Sequence, residues 1–323
     1  MGAPTGLVEV VLANAHLRVV LLPELGGRVW EVTHLASGRQ LLWHHPQLAL
    51  SPIPPGAVYD DNFLGGWDEL FPNDEPETLA GIDFPDHGEA WSAPWRWQVL
   101  AEGVAVRLEL VAPLSGSRLV RTFRLAAGSS ALELQVEVTN GTGRVLPMMH
   151  KQHLAVDLLP GSRIDLPPSV VEIGGFGTPR AGSYGDRFAW PVLATPEGGA
   201  DFAAAAPDGT AELLFAEGLA AGWVACTGPD GVGIGLAFDT GAYPACWTFA
   251  SWAGWQDLRV AVLEPCTGLG LSVGEGVATG RHRVLAPGET MRTRLSAVAY
   301  SGLAEVRSIS GHGGQCRVEG VAR

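Results

Sequence analysis

Val106-Arg107-Leu108-Glu109-Leu110, Arg118-Leu119-Val120-Arg121-Thr122-Phe123-Arg124-Leu125 and Leu132-Glu133-Leu134-Gln135-Val136-Glu137-Val138 decide the fold class. The apolar residues of these runs alternate with charged ones, the period of a strand with one buried and one wet face. Towards the N-terminus, Leu7-Val8-Glu9-Val10-Val11-Leu12 turns at Asn14-Ala15 into His16-Leu17-Arg18-Val19-Val20-Leu21-Leu22, and a third run over 28–35 follows Gly26-Gly27. Short apolar runs punctuated by turn residues read as a meander. Further strand-like runs lie at 211–216, 222–226, 232–239, 258–264 and 291–300, and no helical stripe persists for three turns. The expected fold is all-β, a large antiparallel β-sandwich.

A length of 323 residues would allow two domains, but large sandwiches often fold as one unit. Without a repeat or a linker-like tract, the expectation is one domain over 1–310, with 311–323 as a flexible C-terminal tail. Between strands, residues 43–97 form an irregular stretch with Trp43, Trp67, Trp91, Trp95, Trp97 and eight prolines. A loop that long is functional or disordered, and its tryptophans argue against disorder.

Composition narrows the function. A formal net charge of −13, with no Lys/Arg run, argues against nucleic acid and anionic membranes as partners. The first residues lack a signal-peptide pattern and no long apolar run follows, so the cytoplasm is the expected location. Cys226, Cys246, Cys266 and Cys316 form no C-x-x-C pair and are expected to be reduced and mostly buried. No phosphate-cradle motif is present: Gly231-Val232-Gly233-Ile234-Gly235 alternates like a strand. Ala181-Gly182-Ser183-Tyr184-Gly185 lacks the spacing of a serine-nucleophile elbow.

Nine histidines invite a metal reading. His150 and His153, however, are three apart and point to opposite faces of a strand, so no metal is expected and only one of the two can face a cavity. Either could instead be a hydrogen-bonded structural residue. Val260, Val262 and Glu264 share one strand face that ends at Pro265, so Glu264 continues an apolar stripe. It is either a structural carboxylate or a desolvated general base. Asn62-Phe63-Leu64-Gly65-Gly66-Trp67-Asp68-Glu69-Leu70-Phe71-Pro72 mixes tight-turn glycines, carboxylates and aromatics, a combination suited to sugars. Asp86-His87-Gly88-Glu89 and Trp252, Gly254, Trp255 and Asp257 add to it, though many of the tryptophans are expected to fill core.

With these pieces in order, the chain resembles the aldose 1-epimerase (galactose mutarotase-like) superfamily, and more closely a divergent branch of it, from about residue 8 to about residue 300. The resemblance is carried by Leu25-Gly26-Gly27-Arg28-Val29-Trp30, by Gly65 to Pro72, and by His87-Gly88 before a Trp-rich strand. Lys151-Gln152-His153 ahead of Pro160-Gly161, and Leu263-Glu264-Pro265-Cys266-Thr267-Gly268, complete it. It implies a large β-sandwich of the mutarotase type and cofactor-free interconversion of sugar anomers. Glu264 would be the base acting on the C1 hydroxyl and His153 the acid at the ring oxygen, with His150 the alternative acid should the strand bulge. His87 and Arg28 resemble substrate-binding positions, and Trp67, Asp68, Glu69, His150, Trp255 and Asp257 are further substrate-binding candidates.

The Asn-His-x-Tyr-Phe-Asn pattern of the galactose enzymes is missing, and so is a counterpart of their substrate-binding aspartate. Galactose is therefore not the expected substrate, and a non-catalytic carbohydrate-binding or sensor protein is the alternative. A phosphorylated sugar would require two or more arginines to converge, and the sequence offers Arg28, Arg96 and Arg187. The sole lysine, Lys151, is expected to point away from the His153 face, as a structural residue or one reaching a subunit neighbour. No pattern indicates an oligomeric state.

Overall fold

The computed structural model describes residues 6–196 and 198–323. Two antiparallel sheets dominate it. The larger runs in the spatial order Val10–Ala13, Leu17–Leu22, Arg28–His34, Trp67–Leu70, Lys151–Asp157, Arg259–Cys266, Ala245–Trp252, Thr210–Glu217, Val170–Thr178 and Arg187–Ala189, with Arg39–Gln40 beside the third strand. The smaller runs Arg163–Asp165, Trp223–Thr227, Gly233–Phe238, Thr290–Tyr300, Ala131–Thr139, Arg118–Arg124, Ala105–Val111 and Arg96–Ala101. The alternating runs at 104–139 thus pair as read, with Leu119 opposite both Leu110 and Val138. Among the described residues the one α-helix is short, Val273–Ala278, capped by the Ser272 side chain, and no helix is long and apolar enough to cross a membrane.

The main core lies between the two sheets, where Trp67, Leu154 and Leu263 of the larger meet Leu108, Phe123, Leu134 and Leu295 of the smaller. Because side chains alternate along a strand, the neighbours of these residues emerge on the other face of the larger sheet. There Leu70, Ala155, Val260 and Val262 form a second apolar cluster, covered by Trp43, Ile53, Tyr59, Phe63 and Leu64 from the irregular segment. That segment is ordered by its own aromatic packing: Trp43 stacks on Phe63 at 5.1 Å, and Trp91 packs edge-on to Tyr59.

One expectation changes. Residues 311–323 do not fray: Arg317–Ala322 pairs with Leu303–Ser310, and Cys316 and Val318 pack on a third cluster around Trp223, Tyr300 and Ile309. Most of the tryptophans are core. Trp67, Trp91, Trp95, Trp247 and Trp252 are almost fully buried, leaving Trp255 as the partly exposed indole of the cleft described next. The four cysteines are unpaired, and Cys226, Cys246 and Cys266 are buried.

Candidate active site

A cleft of about 220 Å³ opens on the face of the larger sheet turned away from the smaller one. Its floor comes from adjacent strands. The register that pairs Lys151 with Cys266 and Leu154 with Leu263 sets His153 opposite Glu264, and Trp247 lies opposite Glu264 on the next strand. Phe63, Phe176, Phe249 and Trp255 form an aromatic wall, and Tyr59, Asp74, Asp86 and His87 line the other side.

His153 is held from behind. Its Nδ1 lies 3.2 Å from Asp68 Oδ1 and 3.0 Å from the Tyr59 hydroxyl, which itself donates to Asp68 Oδ2 at 3.0 Å. With Nδ1 so occupied, Nε2 is the nitrogen left for a ligand. Asp68 is in turn paired with Arg28 at 2.8 Å, both fully buried. Burial pushes the Asp68 carboxyl up, but Arg28 first and then His153 and Tyr59 outweigh it, pulling it down to about 2. Asp68 is therefore an ionised orienter of His153.

Glu264 lies 2.8 Å from Lys151 Nζ, and Lys151 also reaches Asp74 at 2.7 Å. Burial alone would strip a lysine of its proton; here Asp74 and Glu264 outweigh that effect and raise the Lys151 pKa. Lys151 is thus the cation of the cleft floor and does not point away from His153. Residues two apart in a strand share a face, and Lys151 and His153 do.

His87 stacks on Tyr59 at 4.0 Å, its Nδ1 is 2.7 Å from Asp86, and its Nε2 is 3.6 Å from Asp74. Burial works to lower its pKa, yet Asp74 and the hydrogen bond that Nδ1 donates to Asp86 prevail and leave it raised. His87 and Gly88 occupy left-handed backbone, φ 57° and 73°, and a Cβ at Gly88 would fall 2.0 Å from the Phe71 carbonyl oxygen. Such a conformation at a bulky residue is uncommon and here aims the imidazole into the cleft.

Of the substrate-binding candidates, His87 and Trp255 line the cleft; the others do not. Trp67, Glu69 and His150 belong to the opposite face. Trp67 Nε1 donates to Gln152, while Glu69 meets His150 at 2.8 Å and Arg121 at 3.1 Å inside the core between the sheets. The Tyr243 hydroxyl closes that cluster on His150 Nδ1. Burial pushes the Glu69 carboxyl up, but His150 and Arg121 outweigh it and hold it low. Arg28 and Asp68 are stacked beneath the cleft, with Arg28 also donating to the Gly65 carbonyl. Asp257 is exposed in a left-handed turn outside the lining. Tyr59, Asp74, Asp86 and Lys151 are the residues that pattern reading missed. The first three sit in irregular segments, where no period reports a facing, and of them only Asp86, next to His87 in sequence, offered a signal. Among the described residues no group of three or more His, Cys, Asp or Glu is arranged to hold a metal.

No family model and no curated protein matches the chain. Solved structures do. A protein from Synechocystis sp. PCC 6803 matches at 16% identity over 93% of this chain and 98% of its own, with a TM-score of 0.67. A provisionally named aldose 1-epimerase from Escherichia coli K12 matches at 18% identity over 92% of this chain and all of its own (100%), with a TM-score of 0.66. A galactose mutarotase related enzyme from Lactobacillus acidophilus follows at 14% identity over 91% and 98%, with a TM-score of 0.63. The two stacked antiparallel sheets, and their likeness to these structures over almost the whole chain, place this protein in the galactose mutarotase-like fold.

Proposed function

We propose that the cleft binds a sugar and interconverts its α and β anomers without a cofactor. The observation that carries this reading is the placement of Glu264 opposite His153 on neighbouring strands at the floor of an aromatic-walled cleft. Glu264 removes the proton from the C1 hydroxyl, and His153 Nε2 delivers one to the ring oxygen. The C1–O5 bond breaks as the C1 carbonyl forms. Rotation about C1–C2 and return of both protons closes the other anomer. A carboxylate and an imidazolium supply the two proton transfers near neutral pH. His87 is placed to donate to the ring oxygen or a neighbouring hydroxyl, and Trp255 offers an indole face to the sugar's C–H face.

The substrate is proposed to be uncharged. Asp60, Asp74, Glu75, Asp86 and Glu264 line the cleft, and its one lysine is already held by two of them. Arg28 is spent on Asp68, Arg187 pairs with Glu172 and Glu217, and Arg96 lies on the edge strand of the smaller sheet, so the three do not converge. Exchange NMR on a panel of free aldoses is expected to show accelerated anomer exchange for at least one, and none for the corresponding 6-phosphates. Silence across the whole panel overturns the proposal.

A second reading, a carbohydrate-binding protein without catalysis, draws on the ion pair that occupies a Glu264 oxygen in the resting site. Sugar binding unchanged by Glu264→Gln and His153→Ala, with no anomer exchange in the parent protein, would favour it. Free, mostly buried thiols suit a reducing compartment, and the cytoplasm is the proposed location.

A further inference from the structure

We propose that Asp74 and Lys151 form a positioning pair that aims Glu264 and sets its charge, an inference that rests on Glu264 being the base. Lys151 is opposite Cys266 in the ladder, so its side chain runs diagonally to Glu264, two residues before Cys266 on the same face. Its ammonium lies 2.8 Å from Glu264, 2.7 Å from Asp74 and 4.0 Å from the centre of the Trp247 ring. It donates a hydrogen bond to Asp74, forms an ion pair with Glu264 and turns another side to the indole, a cation–π placement. Its charge is already shared between two carboxylates, and as a protonated amine it cannot attack a sugar aldehyde.

The charge count gives the pair its use. One ammonium stands between two buried carboxylates, so Asp74 alone neutralises Lys151 at the moment Glu264 accepts the C1 hydroxyl proton. Without Asp74, protonation of Glu264 would strand a buried cation; without Lys151, two buried carboxylates would compete for a proton. His87, 3.6 Å from Asp74, faces this group from the irregular segment. Tyr59, Asp60, Glu75, Asp86 and His153 also line the cleft, Cys246 and Cys266 flank the group on the strands, and none of these supplies a second permanent cation.

The test compares three variants by the pH dependence of kcat/KM and by the 13C titration of the Glu264 carboxyl in the substrate-free protein. Lys151→Met is expected to move the acidic limb and the titration upward by about one to two pH units. Asp74→Asn is expected to move both downward, because the ammonium then serves Glu264 alone, and Lys151→Arg to stay near the parent. Should Lys151→Met fail to fold, Asp74→Asn and Lys151→Arg still decide the matter. A Glu264 titration that stays put in Asp74→Asn, or shifts in the same direction in both charge-removing variants, overturns the pair's role. Absence of anomer exchange in the parent protein overturns the catalytic reading separately, since the carboxyl titration needs no turnover.

Discussion

Glu264→Gln is expected to lower kcat for anomer exchange by about 10²–10⁴-fold, the range general acid–base groups contribute, with a much smaller change in KM. The amide keeps the shape and can still lie against the Lys151 ammonium, but it cannot take the C1 hydroxyl proton. The variant should also fold, because Lys151 keeps Asp74 as its counter-charge 2.7 Å away and no buried cation is left alone. Exchange NMR at saturating sugar, paired with a thermal melt, checks both halves. Full activity in Glu264→Gln would remove this carboxylate from the chemistry and, with it, the proposed mechanism.

Why Glu264 could be singled out from the chain alone, while its lysine partner could not, comes down to strand period. Val260, Val262 and Glu264 lie two apart, so the carboxylate at the end of an apolar stripe declares its face, and the structure puts it in the cleft with Val262. The opposite facings of His150 and His153 follow from the same rule: one enters the core with Glu69, the other the cleft. Applied to Lys151 and His153 the rule gives a shared face, and the expectation that they diverge fails on the period itself. Trp67, Asp68 and Glu69 are three consecutive residues of one strand, so they could never all have met the same ligand; only Asp68 faces the cleft side, and Arg28 takes it. Tyr59 and Asp74 were beyond reach for a different reason. They come from segments whose path is set by aromatic packing and left-handed turns, and tertiary contacts of that kind leave no periodic trace. The hairpin Leu303–Ser310 with Arg317–Ala322 escaped for lack of strong alternation, its pairing being broken by register shifts.

Arg28→Met is expected to destabilise the protein by about 3–5 kcal/mol, the effect of leaving a buried charge without its partner. The guanidinium is fully buried, lies 2.8 Å from Asp68 and also holds the Gly65 carbonyl. Gly65 itself has φ 85°, and a Cβ there would fall 2.1 Å from the Trp43 carbonyl oxygen, so the backbone that Arg28 grips has little room to adjust. The effect should depend on pH in a defined direction. In the parent, Asp68 titrates at about 2 against an ordinary 3.8, so its contribution is present above the ordinary value and lost as the pH falls through about 2. With Arg28 gone, burial of the Asp68 carboxyl loses its largest opponent, and the native pKa moves up from about 2, with His153 and Tyr59 still pulling it down. The variant therefore gains less stability than the parent as the carboxyl ionises, and the deficit measured by urea unfolding should be larger at about pH 7 than at about pH 4. The same variant separates two roles for Arg28. If it gripped a sugar hydroxyl, KM would rise with stability nearly intact; beneath the cleft, it should lower stability and, by loosening Asp68 behind His153, reduce kcat more than it raises KM.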